Sequence, residues 1–270
     1  MNNVNEQPDS LDPWAFLRTH TAARIAQGRA GNSLPTRALL DFQLDHARAR
    51  DAVHATLDTN ALLAALTQHK LEALHLYSRA TDRPTYLKRP DLGRQLSAES
   101  YAQLHERDQE ATLVIVVTDG LSATAVQNHA LSVVGGLAAG AKRRGWSLAP
   151  VCVVEQGRVA IGDAIGNAFG AALLVVLIGE RPGLSSPDSL GAYLTYQPRP
   201  GLTDASRNCV SNIRPEGLPA GAAVDKLLWL LDEMHTRRLS GVGLKDEMPT
   251  HTPLHTSSPD ASAQIPGTPD

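Results

Sequence analysis

From residue 111 onward, apolar runs rich in β-branched residues alternate with stretches of helical periodicity. The runs lie at Thr112–Thr118, 148–155 and 173–178, and helices are predicted between them over Thr124–Arg144 and about 159–170. A continuous apolar run indicates a strand buried on both faces, as in a parallel sheet covered by helices. The β-α-β-α-β order therefore predicts a parallel sheet with right-handed crossovers.

Before residue 111 the pattern is helical and contains no convincing strand. Helices are predicted from Pro13, from Pro35, over about 59–77 and over Ser97–Gln109. In the second helix, four apolar residues share helical spacing and are expected to form a buried face: Leu39, Phe42, Ala49 and Val53. The predicted fold class is α/β, with an N-terminal helical region followed by a Rossmann-like, mostly parallel sheet flanked by helices.

Further elements and composition complete the predicted organisation. Strands are predicted at 190–196 and 208–213, and a closing helix at Pro219–Arg238. The chain divides into a mobile N-terminus (1–12), a helical domain (13–110), an α/β domain (111–247) and a tail (248–270). The tail is Pro, Thr, Ser and Asp with little apolar content, so we expect it to be disordered.

Composition excludes several function classes. The net charge is −3 with 20% charged residues, which is not the basic footprint of a nucleic-acid binder. No apolar run is long enough to span a membrane, and Met1–Asp12 lacks a secretory signal pattern. Cys152 and Cys209 are expected to be reduced thiols. We therefore expect a soluble, intracellular protein.

The common catalytic and cofactor motifs are missing. Gly136–Lys142 lacks the spacing and the hydroxyl of a phosphate-binding loop, and no Gly-x-Gly-x-x-Gly follows the first strand. Asp119 precedes a glycine and is interpreted as a turn residue, and His251 and His255 have no third metal ligand. We predict no catalytic residue and no metal site in this chain.

Three short segments follow or border predicted strands and are expected to converge at one edge of the sheet. They are Gln156–Val159, Gly179–Leu184 and Arg207–Ile213. Ligands of open parallel sheets bind at the carboxyl ends of the strands, so this edge is a candidate site for a large cofactor held by backbone groups. Two alternatives stay open: Glu180 as part of an exposed turn, and Cys209 as a small buried apolar residue.

The same segments resemble the small (light) subunit of ethanolamine ammonia-lyase. The resemblance rests on motifs that occur in the family's order: Gly28–Gly31, Asp45–Arg48, Tyr86–Arg94, Val117–Ser122, Gly179–Leu184 and Arg207–Ile213. It extends from about Trp14 to Gly241 with little insertion or deletion. Agreement of so many motifs in one order is far more specific than any single short pattern.

The resemblance implies a subunit of an adenosylcobalamin-dependent lyase that converts ethanolamine to acetaldehyde and ammonia. It implies a hetero-oligomer in which a separate large barrel subunit carries the substrate and the radical chemistry. The small subunit covers the corrin from the other side and is inactive alone. Carried over residue by residue, the cobalamin contacts are Val159, Glu180 and Cys209.

Two further expectations accompany the resemblance. The chain lacks the Asp-x-His-x-x-Gly motif of modules that supply a histidine to cobalt, so the cofactor is expected to keep its own base as the lower ligand. Met1–Asp12 has no amphipathic stripe, which favours the cytoplasm, with a bacterial microcompartment as the alternative. The alternative function is a stand-alone α/β ligand-binding or regulatory protein that has lost the lyase partner.

Overall fold

A computed structural model of the chain describes residues 12–105 and 110–249. The helices are α1 (Thr36–His54), α2 (Thr59–Gln68), α3 (Arg83–Lys88), α4 (Ala98–His105), α5 (Ala123–Arg143), α6 (Ile161–Ala168) and α7 (Ala220–Arg237). The strands are β1 (Ala73–Tyr77), β2 (Leu113–Thr118), β3 (Val151–Glu155), β4 (Leu173–Gly179), β5 (Leu190–Tyr196) and β6 (Asn208–Ile213). The expected mobile N-terminus and disordered tail lie outside the described residues except for Asp12, Met248 and Pro249, and His251 and His255 lie outside them too.

The strands form one mixed sheet in the order β1-β3-β2-β4-β5-β6. The first four strands in this order are parallel, whereas β5 pairs antiparallel with β4 and β6 pairs antiparallel with β5. The predicted α/β class and mostly parallel sheet are confirmed. The antiparallel pair follows from the short connections around 180–189 and 197–207, which contain no crossover helix.

Helices cover both faces of the central strands. On β2, Ile115 and Val117 pack with α5 and α7, whereas Val114 and Val116 pack with α6 on the other face. All residues of β2 are buried, as its continuous apolar run predicted. Gly162 lets α6 approach β4 closely, since a Cβ there would lie 2.5 Å from Cγ2 of Val176.

Strand β1 contradicts the expectation of a purely helical chain before residue 111. Helix α2 ends at Gln68, and Lys70 then adopts a φ of 58°, which reverses the chain. Leu74 and Leu76 are buried on β1, which pairs in parallel with β3. Because Leu74 also continues the helical spacing of the leucines in α2, the local pattern favoured an extended helix that does not form.

The expected buried face of α1 is only partly buried. Ala49 is buried near the C-terminal end of the helix, but Leu39 is 43% exposed and Phe42 is 38% exposed. The helix packs against α5, and in its N-terminal half the Arg24 guanidinium lies over the ring of Phe42 and pairs with Asp45. The helix expected from Pro13 is a short 3₁₀ turn, Ala15–Thr19, with no buried residue.

Candidate functional site

The carboxyl ends of β2, β3 and β4 meet at one edge of the sheet. The chain passes from β2 to β3 through α5 on one face, and from β3 to β4 through α6 on the other. Crossovers that diverge in this way open a crevice at the strand ends, where ligands of α/β proteins bind. The predicted segments at 156–159 and 179–184 therefore flank Asp119 at the end of β2.

Two glycines bring the turns after β2 and β4 into backbone contact. The N–H of Leu121 donates a hydrogen bond to the carbonyl of Gly179 at 2.8 Å. A Cβ on Gly179 would overlap the Ser122 carbonyl, and one on Gly120, whose φ is +57°, would overlap Gly179. Because no side chain fits between the turns, the two turns pack closely at this edge through glycine backbone.

A buried ion pair lies beneath the turn after β2. Nη1 of Arg83 lies 3.6 Å from Oδ2 of Asp119, and these side chains are 8% and 3% exposed. The same Nη1 donates to the Gly120 carbonyl at 2.7 Å. Burial raises the pKa of the Asp119 carboxyl to about 6, although the positive charge of Arg83 opposes the rise. The turn predicted at Asp119 is confirmed, but no local pattern indicated its partner on α3.

Tyr86 holds the segment after β3 in place. The guanidinium carbons of Arg83 and Arg158 lie 4.9 Å and 4.1 Å from the centre of its ring. Its hydroxyl donates to the carbonyl of Gly157 at 3.2 Å, and burial raises the pKa of this phenol. The two residues that flank Arg158 in the predicted segment, Gly157 and Val159, are therefore positioned by the helical part of the chain.

An open cavity of about 280 Å³ lies at this edge, and we call it the edge cleft. It is lined by Tyr86, Leu121, Arg158, Val159, Ile178, Gly179, Glu180, Arg181 and Tyr193. Two of the predicted site residues, Val159 and Glu180, thus line one cavity. The lining combines apolar side chains with a carboxylate and guanidinium groups, and such a surface suits a ligand with an apolar body and polar edges.

The side chain of Glu180, in the turn after β4, is held in place by hydrogen bonds. Its Oε2 accepts hydrogen bonds from the Ser189 hydroxyl and from the backbone N–H of Asn212, the latter at 3.2 Å. Its Oε1 has no hydrogen-bond partner among the described residues. The carboxylate therefore ties β4 to the start of β5 and the end of β6, and one oxygen stays available to accept a hydrogen bond from a ligand.

A second open cavity, of about 380 Å³, adjoins the edge cleft and shares two residues with it. It is lined by Ala22, Glu180, Arg181, Ser185, Ser186, Ser189, Asn212, Arg214 and Glu216. This lining is mostly polar. The edge cleft and this polar cavity meet at Glu180 and Arg181, and we call the two together the groove.

Cys209 lies on β6 at the edge of the sheet and is not a lining residue of the edge cleft. Its thiol is exposed, so the alternative of a buried apolar residue is wrong, whereas Cys152 is buried. Cys209 pairs in register with Tyr193 across β5 and β6. Burial, with the neighbouring Cys209 and Glu180, raises the pKa of the Tyr193 phenol to about 12. Tyr193 therefore connects Cys209 to the edge cleft.

The groove carries no metal-binding arrangement. Within residues 12–105 and 110–249, no cluster of His, Cys, Asp and Glu is suited to hold a metal ion. In the same part of the chain, no helix combines the length and the apolar character needed to cross a membrane. Arg83 and Tyr193 are site residues that the sequence analysis did not indicate, and Tyr86 appeared there only as the first residue of a motif, without a role at the site.

Comparisons with known proteins agree on one family. Residues 11–245 match the family model described as ethanolamine ammonia-lyase light chain. Over 250 residues the chain is 57% identical to the ethanolamine ammonia-lyase small subunit of Pseudomonas fluorescens (strain Pf0-1), covering 90% of each chain. It is 56% identical over 247 residues to the protein of that name from Azotobacter vinelandii, covering 90% of this chain and 92% of the relative.

Proposed function

The chain belongs to the ethanolamine ammonia-lyase light-chain family, and from this premise we propose that it seats adenosylcobalamin against the large catalytic subunit of that lyase. The observation that carries the proposal is the groove at the sheet edge. Val159 and Glu180 line its edge cleft, and Cys209 lies on the strand beside it. The complex is a carbon–nitrogen lyase that acts on ethanolamine, and this chain is inactive without its partner.

The chemistry of the groove fits a corrinoid. A corrin has an apolar macrocycle with amide groups around its rim, and its nucleotide tail is polar and carries a phosphodiester. The edge cleft offers Leu121, Val159 and Ile178 to an apolar surface, and the adjoining cavity offers serine hydroxyls. Both cavities are open, which supports a cofactor that a second subunit covers from the other side.

When bound, adenosylcobalamin supplies the radical chemistry by which ethanolamine becomes acetaldehyde and ammonia. The residues of this chain bind and orient the cofactor. Glu180 accepts a hydrogen bond from an amide N–H through Oε1, which has no partner among the described residues. Val159 contributes through its backbone, which is held by the contacts of Tyr86 with its neighbours. The Cys209 thiol contacts the cofactor from the edge strand.

We also propose that this chain would supply no ligand to cobalt and that the cofactor would keep its own base there, because the residues of this chain that line the groove include no histidine. Electron paramagnetic resonance of the assembled enzyme, prepared with ¹⁵N-labelled protein and unlabelled cofactor in its paramagnetic cob(II)alamin form, tests this proposal. The nitrogen splitting of the cobalt signal is expected to be unchanged by the label. A change to the ¹⁵N pattern would show a protein ligand and overturn the proposal.

Exposed apolar side chains on the N-terminal part support a partner subunit. Leu34, Leu39, Leu40 and Leu44 are between 43% and 58% exposed in or just before α1. Contiguous exposed apolar surface is typical of sites that another chain covers. The division into a mainly helical part (13–110) and a cofactor-contacting α/β part (111–247) remains part of this proposal, with the first part supplying β1 to the sheet of the second. A location in the cytoplasm or a microcompartment remains part of it too.

Reconstitution tests the proposed role. The purified chain, the large subunit and adenosylcobalamin are assayed separately and together for release of acetaldehyde from ethanolamine. We expect negligible activity from either subunit alone and full activity from the mixture. Activity of this chain by itself, or activity of the large subunit that does not depend on this chain, would overturn the proposal. Val159→Ala serves as a control of small expected effect, since its backbone is retained.

A further inference from the structure

Among the described residues, the helices that pack closely on β5 and β6 are α5 and α7, which cover one face of these strands. On β5, Leu190, Ala192 and Leu194 point into the core that is shared with α5 and α7. The alternate residues, Gly191 and Tyr193, point to the opposite face because side chains alternate along a strand. There α6 packs against β2 and β4. Beyond α6 the face is open, and Cys209 and Ser211 of β6 are exposed.

Tyr193 lies on this face and is partly packed against the core cluster that includes the apolar residues of α6. It lines the edge cleft together with Val159 and Glu180, and it pairs in register with Cys209. It is half-buried, so part of its ring is accessible. Beside it, Gly191 has no side chain, and a Cβ there would lie 2.9 Å from Oε1 of Glu180. The ring therefore projects beside a stretch of backbone that carries no side chain. This absence of a side chain leaves the Glu180 carboxylate within reach of a ligand.

We propose that Tyr193 is a further cofactor-binding residue, and that its ring packs against the apolar surface of the corrin between the edge cleft and Cys209. This inference rests on the proposed function and deepens it. An aromatic ring offers a large apolar contact at little cost in side-chain entropy. Burial, with the neighbouring Cys209 and Glu180, raises the pKa of the phenol, so the hydroxyl stays protonated beside these two residues. The ring carries the contact with the cofactor.

The test measures cofactor affinity of the assembled two-subunit enzyme by equilibrium dialysis with adenosylcobalamin. Tyr193→Thr keeps a residue suited to a strand and removes the ring, and we expect affinity to fall by about tenfold or more. Tyr193→Phe keeps the ring, and we expect affinity within about threefold of the wild type. Tyr101→Thr is the matched control, because Tyr101 is exposed on α4 and is not a lining residue of the edge cleft.

A second readout does not require the ring to be removed. The enzyme is labelled with 3-fluorotyrosine, and the resonance of residue 193 is identified by its loss in Tyr193→Phe. Addition of adenosylcobalamin is expected to shift the ¹⁹F signal of Tyr193 and to leave that of Tyr101 in place. An unmoved Tyr193 signal would overturn the inference even where Tyr193→Thr fails to assemble.

The two proposals fail in different ways. Wild-type enzyme that does not bind adenosylcobalamin would overturn the proposed function. Wild-type enzyme that binds it, with unchanged affinity in Tyr193→Thr, would overturn only the role of Tyr193. Equal losses in Tyr193→Phe and Tyr193→Thr would show that the hydroxyl is needed, and that result would also overturn packing of the ring as the basis of binding.

Discussion

The carboxylate of Glu180 accepts a hydrogen bond from the backbone N–H of Asn212 at 3.2 Å, although these residues lie on separate segments at the sheet edge. The same oxygen accepts a hydrogen bond from the Ser189 hydroxyl. Asn212 has a φ of 59°, so the backbone at the end of β6 turns sharply toward this carboxylate. Glu180 therefore shapes the groove in addition to its proposed contact with the cofactor.

Two substitutions, Glu180→Ala and Ser189→Ala, separate the structural role of Glu180 from its proposed contact with the cofactor. Glu180→Ala removes both hydrogen bonds, so we expect the free energy of unfolding to fall by about 1–3 kcal/mol, with weaker binding of adenosylcobalamin. Ser189→Ala removes one bond and leaves the carboxylate, so we expect a smaller loss of stability and nearly unchanged affinity. Urea unfolding of the chain and dialysis of the assembled enzyme measure the two effects. Equal losses of affinity in both variants would show that Glu180 only positions its neighbours.

The pH dependence of Asp119 follows from its burial beside Arg83. Its carboxyl is expected to titrate near pH 6 in the folded chain, against an ordinary value of 3.8. Between about pH 4 and 6, the Asp119 carboxyl is therefore protonated in the folded chain and ionised in the unfolded chain. The contribution of Asp119 to stability therefore falls as pH rises through this window, by on the order of 3 kcal/mol, and levels off above it.

Carboxyl ¹³C NMR measures this titration directly, and Arg83→Gln supplies the comparison. Loss of the guanidinium removes the charge that opposes the rise, so the pKa of Asp119 is expected to increase further in this variant. A midpoint near 4 in the wild type, or a decrease in the variant, would contradict the interpretation of this pair.

Alanine substitutions at two glycines are expected to have opposite effects on stability. At Gly179, an added Cβ would overlap the carbonyl of Ser122, so we expect a loss of about 3 kcal/mol or more. At Gly221, in the first turn of α7, no atom lies within 4 Å of an added Cβ, so alanine is expected to stabilise by about 0.5–1 kcal/mol. Denaturant unfolding of both variants tests whether the turns after β2 and β4 are as closely apposed as described.

The two cysteines are expected to differ sharply in reactivity. Cys209 is exposed and Cys152 is buried, so the folded chain should react with a thiol reagent at Cys209 and leave Cys152 unmodified until it unfolds. Peptide mass spectrometry after brief alkylation identifies the site, and Cys209→Ser should abolish the fast reaction. Rapid labelling of Cys152 in the folded chain would contradict its position in the core.

The part of the fold that sequence patterns predicted is the part with clear periodicity. Strands β2, β4, β5 and β6, and helices α5 and α7, occur where they were expected, because long apolar runs and amphipathic stripes define them locally. Strand β1 was missed because Leu74 fits helical spacing and its pairing with β3 is a non-local contact. The stripe that contains Leu39 identified an apolar face, but periodicity does not show what covers such a face.

The residues of the candidate site also divide into those that sequence motifs indicated and those that they did not. Val159, Glu180 and Cys209 lie in short motifs beside predicted strands, and their assignment as cofactor contacts stays a prediction. Arg83 and Tyr86 could not be predicted, because they reach the sheet edge from α3 through contacts that depend on the assembled fold. Tyr193 occupies an ordinary strand position, and only the register with Cys209 reveals its relation to the groove.

The pairing of β1 with β3 has a consequence for how the chain is made. During synthesis β1 leaves the ribosome before β2, α5 and β3 have been translated, so it emerges without the neighbour it pairs with. Closure of such a long loop is slow, and an unpaired strand is prone to associate with other chains meanwhile. Incorporation of β1 into the sheet therefore waits for β3, and a fragment that ends before Val151 would leave β1 without its partner strand.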